Sequence, residues 1–379
     1  MGENTVRKVM TFKTGNFAFS SKYDAQKINP LILQGRMSYE AIADLPILPE
    51  WSTYLEEELI RRSIFSTAAI EGNPLKEDEV GKIIKDTGNE EKASQAEKEI
   101  INLKNAYSYM KEHDASGASV QITEDNIRDL HKIITDGLDY QDNVSGNYRN
   151  HVVKVGDNEH GGIYTPPKCL PDIENLMKEF TEWINSDEIM RLDTLVRAAL
   201  AHYHLGLIHP FGNGNGRTIR IVEAIIIRKS GIKYVPTMLS NYYYRNIDHY
   251  YLAFSMARKN ADHDISDFLT FMINGVIESL AEIKRNVTFM IKFLVMRDYY
   301  SSLRSSKSIT QRQHDLLSIM LDTFKSVSLK DLFSVSPYKA LYRNVSERTA
   351  RRDLSKLVEM SVMKQEDDGS YNLNIRTLG

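Results

Sequence analysis

The segment IHPFGNGNGRTIR, residues 208–220, places one histidine, alternating glycines and a pair of arginines between two helical patterns. A helix that begins near Gly216 presents free backbone N–H groups and the positive end of its dipole to the turn before it. The glycines let this backbone approach a ligand closely, so the turn is predicted to bind phosphate. Arg217 and Arg220 lie three residues apart on one helix face, where two guanidinium groups suit a di- or triphosphate.

His209 stands at the entrance of this turn, where an imidazole can act as a general base near neutral pH. The side chain of Asn215 can donate to a phosphate oxygen, and that of Asn213 can accept from water or weakly ligate a hard cation. The structural alternative is a His-Pro-Phe turn that only anchors Phe211 in the core. The combination of histidine, glycine-rich turn and paired arginines favours phosphate chemistry.

These residues resemble the signature of the Fic family, His-Pro-Phe-x-(Asp/Glu)-Gly-Asn-Gly-Arg-x-x-Arg, whose members transfer AMP or related groups to protein hydroxyls. The resemblance implies a mainly α fold, a Fic-type helical bundle with a short β-hairpin flap. It also implies that His209 deprotonates the target hydroxyl. Attack at the α-phosphorus of ATP would then release pyrophosphate, with positioning and charge stabilisation supplying most of the catalysis.

The same resemblance assigns the phosphates of ATP to the residues around the helix start. Gly214 and Gly216, through their backbone, and Asn215 would hold the α-phosphate. Arg217 and Arg220 would hold the β- and γ-phosphates.

The chain departs from the family motif at Asn213, where the family usually has the acidic ligand of Mg²⁺. An amide oxygen is a weaker ligand for a hard cation than a carboxylate. Three alternatives stay open: Mg²⁺ binds through Asn213 and the substrate phosphates, the activity is low, or the transferred group differs from AMP.

A second match precedes the first in the chain. The run Thr67-Ala-Ala-Ile-Glu71-Gly72 resembles the inhibitory motif (Ser/Thr)-x-x-x-Glu-(Gly/Asn) of many Fic proteins. The resemblance implies self-inhibition, in which Glu71 pairs bidentately with Arg220 and takes the place of the γ-phosphate. The structural alternative is a solvated glutamate before a glycine that ends the helix.

Two further segments are assigned by resemblance. The polar, glycine-bearing stretch at 146–165 falls where the family has its flap, a hairpin that pairs with an extended target segment. Downstream, LSNYYYRNIDHYYLAF resembles the nucleotide-base segment, with Tyr243, Asn246 and Tyr250 as candidates to contact the base. Core packing is the alternative for the tyrosines.

The chain divides by pattern into an arm, a helical domain and a tail. The tail has three helical patterns followed by two short runs joined by Asp-Gly, which is the order of a winged helix. The predicted boundaries are an extended N-terminal arm at 1–54, a Fic domain at 55–300 that includes the inhibitory helix at about 50–72, a linker at 301–308 and a winged-helix domain at 309–379.

The basic face of the last helix, with Arg348, Arg351, Arg352 and Lys356, makes DNA contact by the tail an alternative. A mild excess of basic residues and the acidic run at 366–368 favour protein docking or a homodimer instead.

Composition restricts the function classes. The chain has 379 residues, a formal net charge of −3 and 42% hydrophobic residues, which indicates folded domains with no global attraction to nucleic acid or anionic membrane. One cysteine fits a reducing compartment, and there is no run of about 18 apolar residues. The sequence therefore predicts a cytoplasmic protein without a membrane partner.

The predicted function is a self-inhibited nucleotidyltransferase that uses ATP and Mg²⁺. It would move AMP to a Ser, Thr or Tyr hydroxyl in an extended segment of another protein or of itself. The alternative is a nucleotide-sensing, DNA-binding transcriptional regulator with a weakly active or inactive Fic domain.

Overall fold

The computed structural model describes residues 5–86, 92–112, 121–229, 231–232 and 234–375. Over these residues the chain is mainly helical, as predicted, and it forms two compact units, Met1–Lys284 and Arg285–Gly379. None of the helices described combines the length and the apolar character that crossing a membrane requires.

The first unit begins with an antiparallel hairpin of strands β1 (Val6–Met10) and β2 (Asn16–Ser20), followed by helix α1 (Ala25–Ala43). The prediction of an extended arm is therefore wrong for these residues. Asp24 caps α1 by accepting from two backbone N–H groups, and Ile28, Ile32 and Ile42 bury one side of the helix. This burial outweighs the proline and polar residues on which the prediction rested.

The rest of the first unit is a helical bundle. Its helices are α2 (Pro49–Ile70), α3 (Glu77–Lys85), α4 (Gln95–Glu112), α5 (Glu124–Ile134), α6 (Leu170–Ile184), α7 (Asp187–Met190), α8 (Thr194–Ile208), α9 (Asn215–Lys229), α10 (Leu239–Arg245), α11 (Ile247–Lys259) and α12 (Ser266–Ser305). Most residues of α8 are buried on all sides, which makes it the central helix. Helix α9 packs on it, and the glycine-rich turn joins the two.

Helix α2 ends as its sequence predicts. Gly72 has a positive φ of 86°, and the N–H groups of Gly72 and Asn73 donate back to Ala69 and Ala68 at 3.0 and 3.1 Å. This is the hydrogen-bond pattern of a Schellman motif, which fixes the direction of the chain just after the helix. Glu71 is thereby held at the end of α2.

The predicted flap hairpin is wrong in extent. Residues 146–165 contain one isolated antiparallel bridge, between Val155 and Tyr164, and no regular strand. Their two backbone hydrogen bonds measure 2.9 and 2.8 Å. The intervening turn uses glycines at positive φ, and the flanking stretch HVVKV has no second strand to extend the ladder. We call residues 146–165 the flap from here on.

The second unit contains the end of α12, then α13 (Gln311–Thr323), α14 (Asp331–Ser334), α15 (Tyr338–Leu341), α16 (Glu347–Glu359) and a hairpin of β3 (Met363–Gln365) and β4 (Tyr371–Leu373). The predicted linker at 301–308 is wrong, because α12 continues through Ser305. Phe293, Met296 and Tyr300 pack this helix against the core of the second unit, which explains why it does not stop at the serines.

This order of helices and hairpin is the one expected of a winged helix, and that assignment stays a prediction. Arg348, Arg351, Arg352 and Lys356 are exposed on α16. Arg351 pairs with Glu347 at 2.6 Å, so part of the basic face is neutralised within the helix itself.

Candidate active site

The turn between α8 and α9 depends on two residues in the left-handed region. His209 follows the last residue of α8 with φ 48° and ψ 60°, and its N–H donates to Leu205 O at 2.8 Å. Gly214 has φ 76° and precedes α9, where its carbonyl accepts from Thr218 N at 3.0 Å. A Cβ at Gly214 would approach Thr135 Cγ2 to 2.9 Å, so both conformation and space require glycine there.

Asn215 and Phe211 hold the turn in shape. The side chain of Asn215 accepts from Phe211 N at 3.0 Å and donates to Phe211 O at 2.8 Å. The ring of Phe211 is buried and stacks on His131 with centroids 3.7 Å apart. The side chain of Asn215 thus braces the turn, in place of the predicted donation to a phosphate, while its backbone stays in the first turn of α9.

The ion pair predicted between Arg220 and the end of α2 is present. Arg220 Nη2 donates to Glu71 Oε1 at 2.7 Å, and Arg220 Nε donates to Thr67 Oγ1 at 2.6 Å. The guanidinium therefore divides its donors between Glu71 and Thr67, and the predicted bidentate pairing with the carboxylate is wrong. Arg220 Nη2 also reaches Thr67 O at 3.2 Å, which joins α9 to the last turn of α2.

The carboxylate of Glu71 lies over the N-terminus of α9. A Cβ added at Gly216 would overlap Glu71 Oε1 and come within 3.0 Å of Arg220 Nη1. Burial alone would raise the pKa of Glu71, but the charges of Arg220 and Arg217 outweigh it, so this pKa lies below its usual range. An anionic oxygen therefore sits at the helix start that the sequence predicts as a phosphate site.

Arg217 points to a different set of partners. Its Nη1 donates to the Tyr140 hydroxyl at 2.8 Å and its Nη2 to Asn213 Oδ1 at 2.9 Å. The Tyr140 hydroxyl donates to Glu99, whose Oε1 lies 3.6 Å from Arg217 Nη1. Arg217 Nε is buried without a hydrogen-bond partner in the described part of the chain. Tyr140 and Glu99 carry no motif, so sequence reasoning missed both.

The arrangement of Asn213 does not fit a magnesium ligand. Its Oδ1 accepts from Gly214 N at 2.7 Å as well as from Arg217, so hydrogen bonds and a positive charge already surround this oxygen. In the described residues no group of three or more His, Cys, Asp or Glu side chains could hold a metal ion.

His209 is half-buried beside a buried arginine. Burial lowers the pKa of His209 to about 4, and the charge of Arg149 acts in the same direction, while Glu71 opposes it. The imidazole is therefore neutral at physiological pH and able to accept a proton. Arg149 Nε donates to His209 O at 2.8 Å. Sequence reasoning missed Arg149, because a single arginine before an apolar stretch has no motif of its own.

A cavity of about 340 Å³ brings the predicted residues together. Glu71, His209, Gly216 and Arg220 line one part of it, and Tyr250 lines another. Residues of the flap also contribute to the wall. This partly open space beside a helix N-terminus, a base and a guanidinium is suited to a phosphorylated ligand.

The three candidates for base contact have different surroundings. Tyr250 lines the cavity and its hydroxyl lies 2.8 Å from His202 Nε2. Tyr243 is fully buried, stacks on Tyr250 and donates to Glu223 Oε1 at 2.8 Å, so it belongs to the core. Asn246 ends α10 and donates to Tyr242 O at 3.0 Å. The structure thus brings Tyr250 to the cavity and does not bring Tyr243 or Asn246 there.

The match to a family model decides the identity of this region. Residues 121–227 match the model of the Fic/DOC family, and this stretch contains the turn, His209 and both arginines. The predicted resemblance to the Fic family is confirmed over this region, which spans less than half of the chain.

Curated relatives match part of this chain. The protein adenylyltransferase fic-1 of Caenorhabditis elegans is 31% identical over 178 residues, which cover 44% of this chain and 32% of that protein. The protein adenylyltransferase Fic of Drosophila erecta is 28% identical over 226 residues, 59% of this chain and 42% of that protein. The chain thus spans about a third to two fifths of the length of these relatives.

Solved structures support the fold. A Fic family protein from Desulfovibrio desulfuricans matches with a TM-score of 0.55 at 20% identity, over 92% of this chain and 95% of that one. A Fic domain-containing signaling protein from Bacteroides thetaiotaomicron matches with a TM-score of 0.53 at 20% identity, over 69% of this chain and 97% of that one. At these identities the likeness concerns the fold alone.

Proposed function

We propose that this chain is a self-inhibited protein adenylyltransferase that moves AMP from ATP to a protein hydroxyl. The carboxylate of Glu71, bound to Arg220 above the first turn of α9, is the observation that carries the proposal. It marks the helix start as an anion site and occupies that site at the same time. The names of the relatives, which are protein adenylyltransferases, support the reaction class.

In the proposed reaction His209 accepts the proton of a Ser, Thr or Tyr hydroxyl. The hydroxyl oxygen forms a bond to the α-phosphorus of ATP, the bond from that phosphorus to the bridging oxygen breaks, and pyrophosphate leaves. The backbone N–H groups at Gly216 and the guanidinium of Arg220 stabilise the charge on the phosphates. The neutral imidazole of His209 is in the protonation state that this role requires.

Glu71 inhibits the reaction by competing for Arg220. Its carboxylate and a terminal phosphate cannot share one guanidinium and one helix start, because like charges at this distance repel each other. ATP can then bind only with its phosphates displaced, and the α-phosphorus is out of line with the hydroxyl. Release of the end of α2 from Arg220 would permit the reactive arrangement.

The flap suits an extended protein segment as the acceptor. Val152 and Ile163, close to the Val155–Tyr164 bridge, are 56% and 53% exposed, so apolar side chains lie open beside backbone groups that a strand can pair with. Addition of a target strand would supply the ladder that the flap lacks. The acceptor is a segment of another protein or of a second copy of this chain.

Mg²⁺ would need a rearranged Asn213. The oxygen of Asn213 would have to leave Arg217 and Gly214 N before it could ligate a cation that also binds the phosphates. We therefore expect Mg²⁺ to bind mainly through the phosphates of the nucleotide, with only a weak contribution from Asn213.

Intact-mass analysis after incubation with ATP tests the proposal. Wild-type protein is compared with Glu71→Gly and with Glu71→Gly combined with His209→Ala, each with and without a cell lysate that supplies targets. Glu58→Gly is the matched control, since Glu58 lies in the same helix and pairs with Arg61 away from the site. We expect an adenylyl adduct on a protein that is strongest in Glu71→Gly and absent without His209.

No adduct from any variant would overturn the proposal. Retention of the adduct in the His209→Ala protein would overturn the role of His209. If specific retention of DNA accompanied the absence of adducts, the nucleotide-sensing regulator would replace the transferase.

A further inference from the structure

The C-terminal end of α8 is capped by residues near the two ends of the flap. The last carbonyls of a helix have no partner within the helix. Here the hydroxyl of Tyr164 donates to Leu207 O, Arg149 Nη2 donates to Ile208 O at 3.4 Å, and Arg149 Nε donates to His209 O at 2.8 Å. The two ends of the flap therefore both hold the helix end from which His209 projects.

Arg149 forms two further hydrogen bonds, one to the catalytic turn and one within the flap. Its backbone N–H donates to Pro210 O at 2.9 Å, and its Nη1 donates to His151 O at 2.6 Å. One side chain thus connects the start of the flap to two consecutive backbone carbonyls, those of Ile208 and His209. All of these acceptors are backbone oxygens of the catalytic turn or of the flap.

The environment of Arg149 is unusual for an arginine. It is 3% exposed, and the side-chain hydrogen bonds that it forms within the described residues all go to backbone carbonyl oxygens. Burial lowers the pKa of Arg149 to about 10, so the guanidinium still carries its charge at neutral pH. Burying a charge without a counter-ion is costly, and only the carbonyl oxygens around His209 and the flap offset that cost here.

His209 needs such support. A non-glycine residue at a φ of 48° is in a sparsely populated, unfavourable conformation that neighbouring contacts must hold in place. The charged groups that act on the imidazole are Arg149 on the flap and Glu71 at the end of α2, and Arg220, Arg258, Asp157 and His160 line the same cavity. Among these groups, Arg149 hydrogen-bonds the backbone of His209.

We propose that Arg149 is a positioning residue that holds the base His209 in its reactive conformation and couples that conformation to the flap. The inference rests on the proposed function for its kinetic part and on the geometry of the turn for the rest. When a target strand binds and orders the flap, the hydrogen bonds of Arg149 and Tyr164 also fix the backbone at the end of α8. The acceptor and the base are thereby aligned together.

The test compares Arg149→Gln and Arg149→Lys with a matched control, Arg197→Gln. Arg197 is also a buried arginine whose pKa burial lowers to about 10, and it caps a different helix by donating to Ile184 O at 3.2 Å. In a Glu71→Gly background, we expect Arg149→Gln to lower kcat about 10- to 100-fold with little change in the KM for ATP. Arg149→Lys should recover part of the rate, and Arg197→Gln should affect stability but not kcat.

A second readout does not need activity. In the otherwise wild-type protein, the His209 imidazole is titrated by NMR with labelled histidine, and its signal is assigned from its loss in His209→Ala. We expect the midpoint to rise from about 4 towards the ordinary value in Arg149→Gln, and to stay low in Arg149→Lys and Arg197→Gln.

An unchanged midpoint in Arg149→Gln overturns the inference. So does a loss of kcat that is matched by Arg197→Gln, since it would reflect stability alone. If no variant transfers AMP, the proposed function fails, while a raised midpoint in Arg149→Gln still supports the contact between Arg149 and the base.

Discussion

The two arginines of the motif lie one helical turn apart on α9, yet their surroundings differ in charge. Arg220 is paired with the carboxylate of Glu71 at 2.7 Å. Arg217 donates to two neutral oxygens, the Tyr140 hydroxyl and the Asn213 amide, and the nearest carboxylate oxygen in its described surroundings, that of Glu99, is 3.6 Å away. One arginine therefore hydrogen-bonds a carboxylate directly, and the other hydrogen-bonds neutral oxygens with a carboxylate 3.6 Å away.

The difference indicates where control is exerted. An incoming phosphate must displace a carboxylate from Arg220, whereas it can replace or join neutral partners at Arg217 at lower cost. Because Glu71 belongs to the end of α2, any event that moves this end changes Arg220 first. Asn73, two residues after Glu71, also donates to Glu99 Oε2 at 2.8 Å, so the end of α2 is connected to both sides of the site.

The largest effect on the rate of adenylyl transfer is expected for the loss of the proposed base, His209. In a Glu71→Gly background, His209→Ala should lower the rate of adenylyl transfer about 10²- to 10⁴-fold, because proton removal from the hydroxyl loses its acceptor. The measurement is single-turnover mass analysis of the adduct. The control is His314→Ala, a change at a histidine of α13 that does not line the cavity. A rate that stays within threefold of the parent would contradict the role of His209.

A comparison of ATP with ADP distinguishes the two arginines directly. Glu71→Gly should tighten binding of ATP about tenfold relative to ADP, since Arg220 becomes free for the terminal phosphate. Glu99→Gln should change the affinities for ATP and ADP by similar, small factors. Titration calorimetry gives both ratios. Equal tightening of ATP and ADP by Glu71→Gly would mean that Glu71 does not compete with the γ-phosphate.

Restoring the acidic residue should have a smaller effect. Asn213→Asp places a carboxylate beside Arg217, which offers a hard cation a better ligand. We expect the Mg²⁺ concentration for half-maximal rate in the Glu71→Gly background to fall about threefold. A magnesium titration against a fixed ATP concentration checks this, with Asn105→Asp, a change at an exposed asparagine of α4, as the control. If the half-maximal concentration does not fall, Asn213 is not near the metal in the reacting complex.

The smallest effect concerns stability and pH. The pKa of Glu71 is lowered in the folded state, so its pairing stabilises the fold above the ordinary pKa of about 4.5 and is lost as the pH falls through the lowered value. Wild type should exceed Glu71→Gln by about 1 kcal/mol in free energy of unfolding from pH 5.5 to 8, and this difference should shrink as the pH falls below the ordinary pKa and through the lowered one. Urea unfolding across this range measures it. A difference that grows on acidification would contradict the ion pair.

The sequence predicted the parts of the site that local patterns determine. Gly72 predicted the end of α2, and the alternating glycines predicted the turn before α9. Both predictions were possible because a positive φ or a close backbone approach favours glycine over other residues. The pairing of Glu71 with Arg220 followed from the two motifs. The bidentate geometry did not, because Thr67 takes one donor of the guanidinium.

Other features depend on contacts distant in sequence. The prediction of an extended arm was wrong because α1 is stabilised by the burial of Ile28 and Ile32. The local sequence does not reveal this burial, since it depends on partners elsewhere in the chain. Aromatic spacing alone could not tell that Tyr250 lines the cavity while Tyr243 is in the core. Arg149 was missed for the same reason, since it contacts His209 only in the folded structure and lies 60 residues away from it in the sequence.

The most direct test of the central claim is the initial rate of pyrophosphate release from ATP. Wild type, Glu71→Gly and Glu99→Gln are measured side by side at saturating ATP with the same acceptor. The competition at Arg220 predicts a rate about 10- to 100-fold above wild type for Glu71→Gly and a rate close to wild type for Glu99→Gln. A Glu71→Gly rate no higher than wild type, or an equal increase in Glu99→Gln, would contradict control through Arg220.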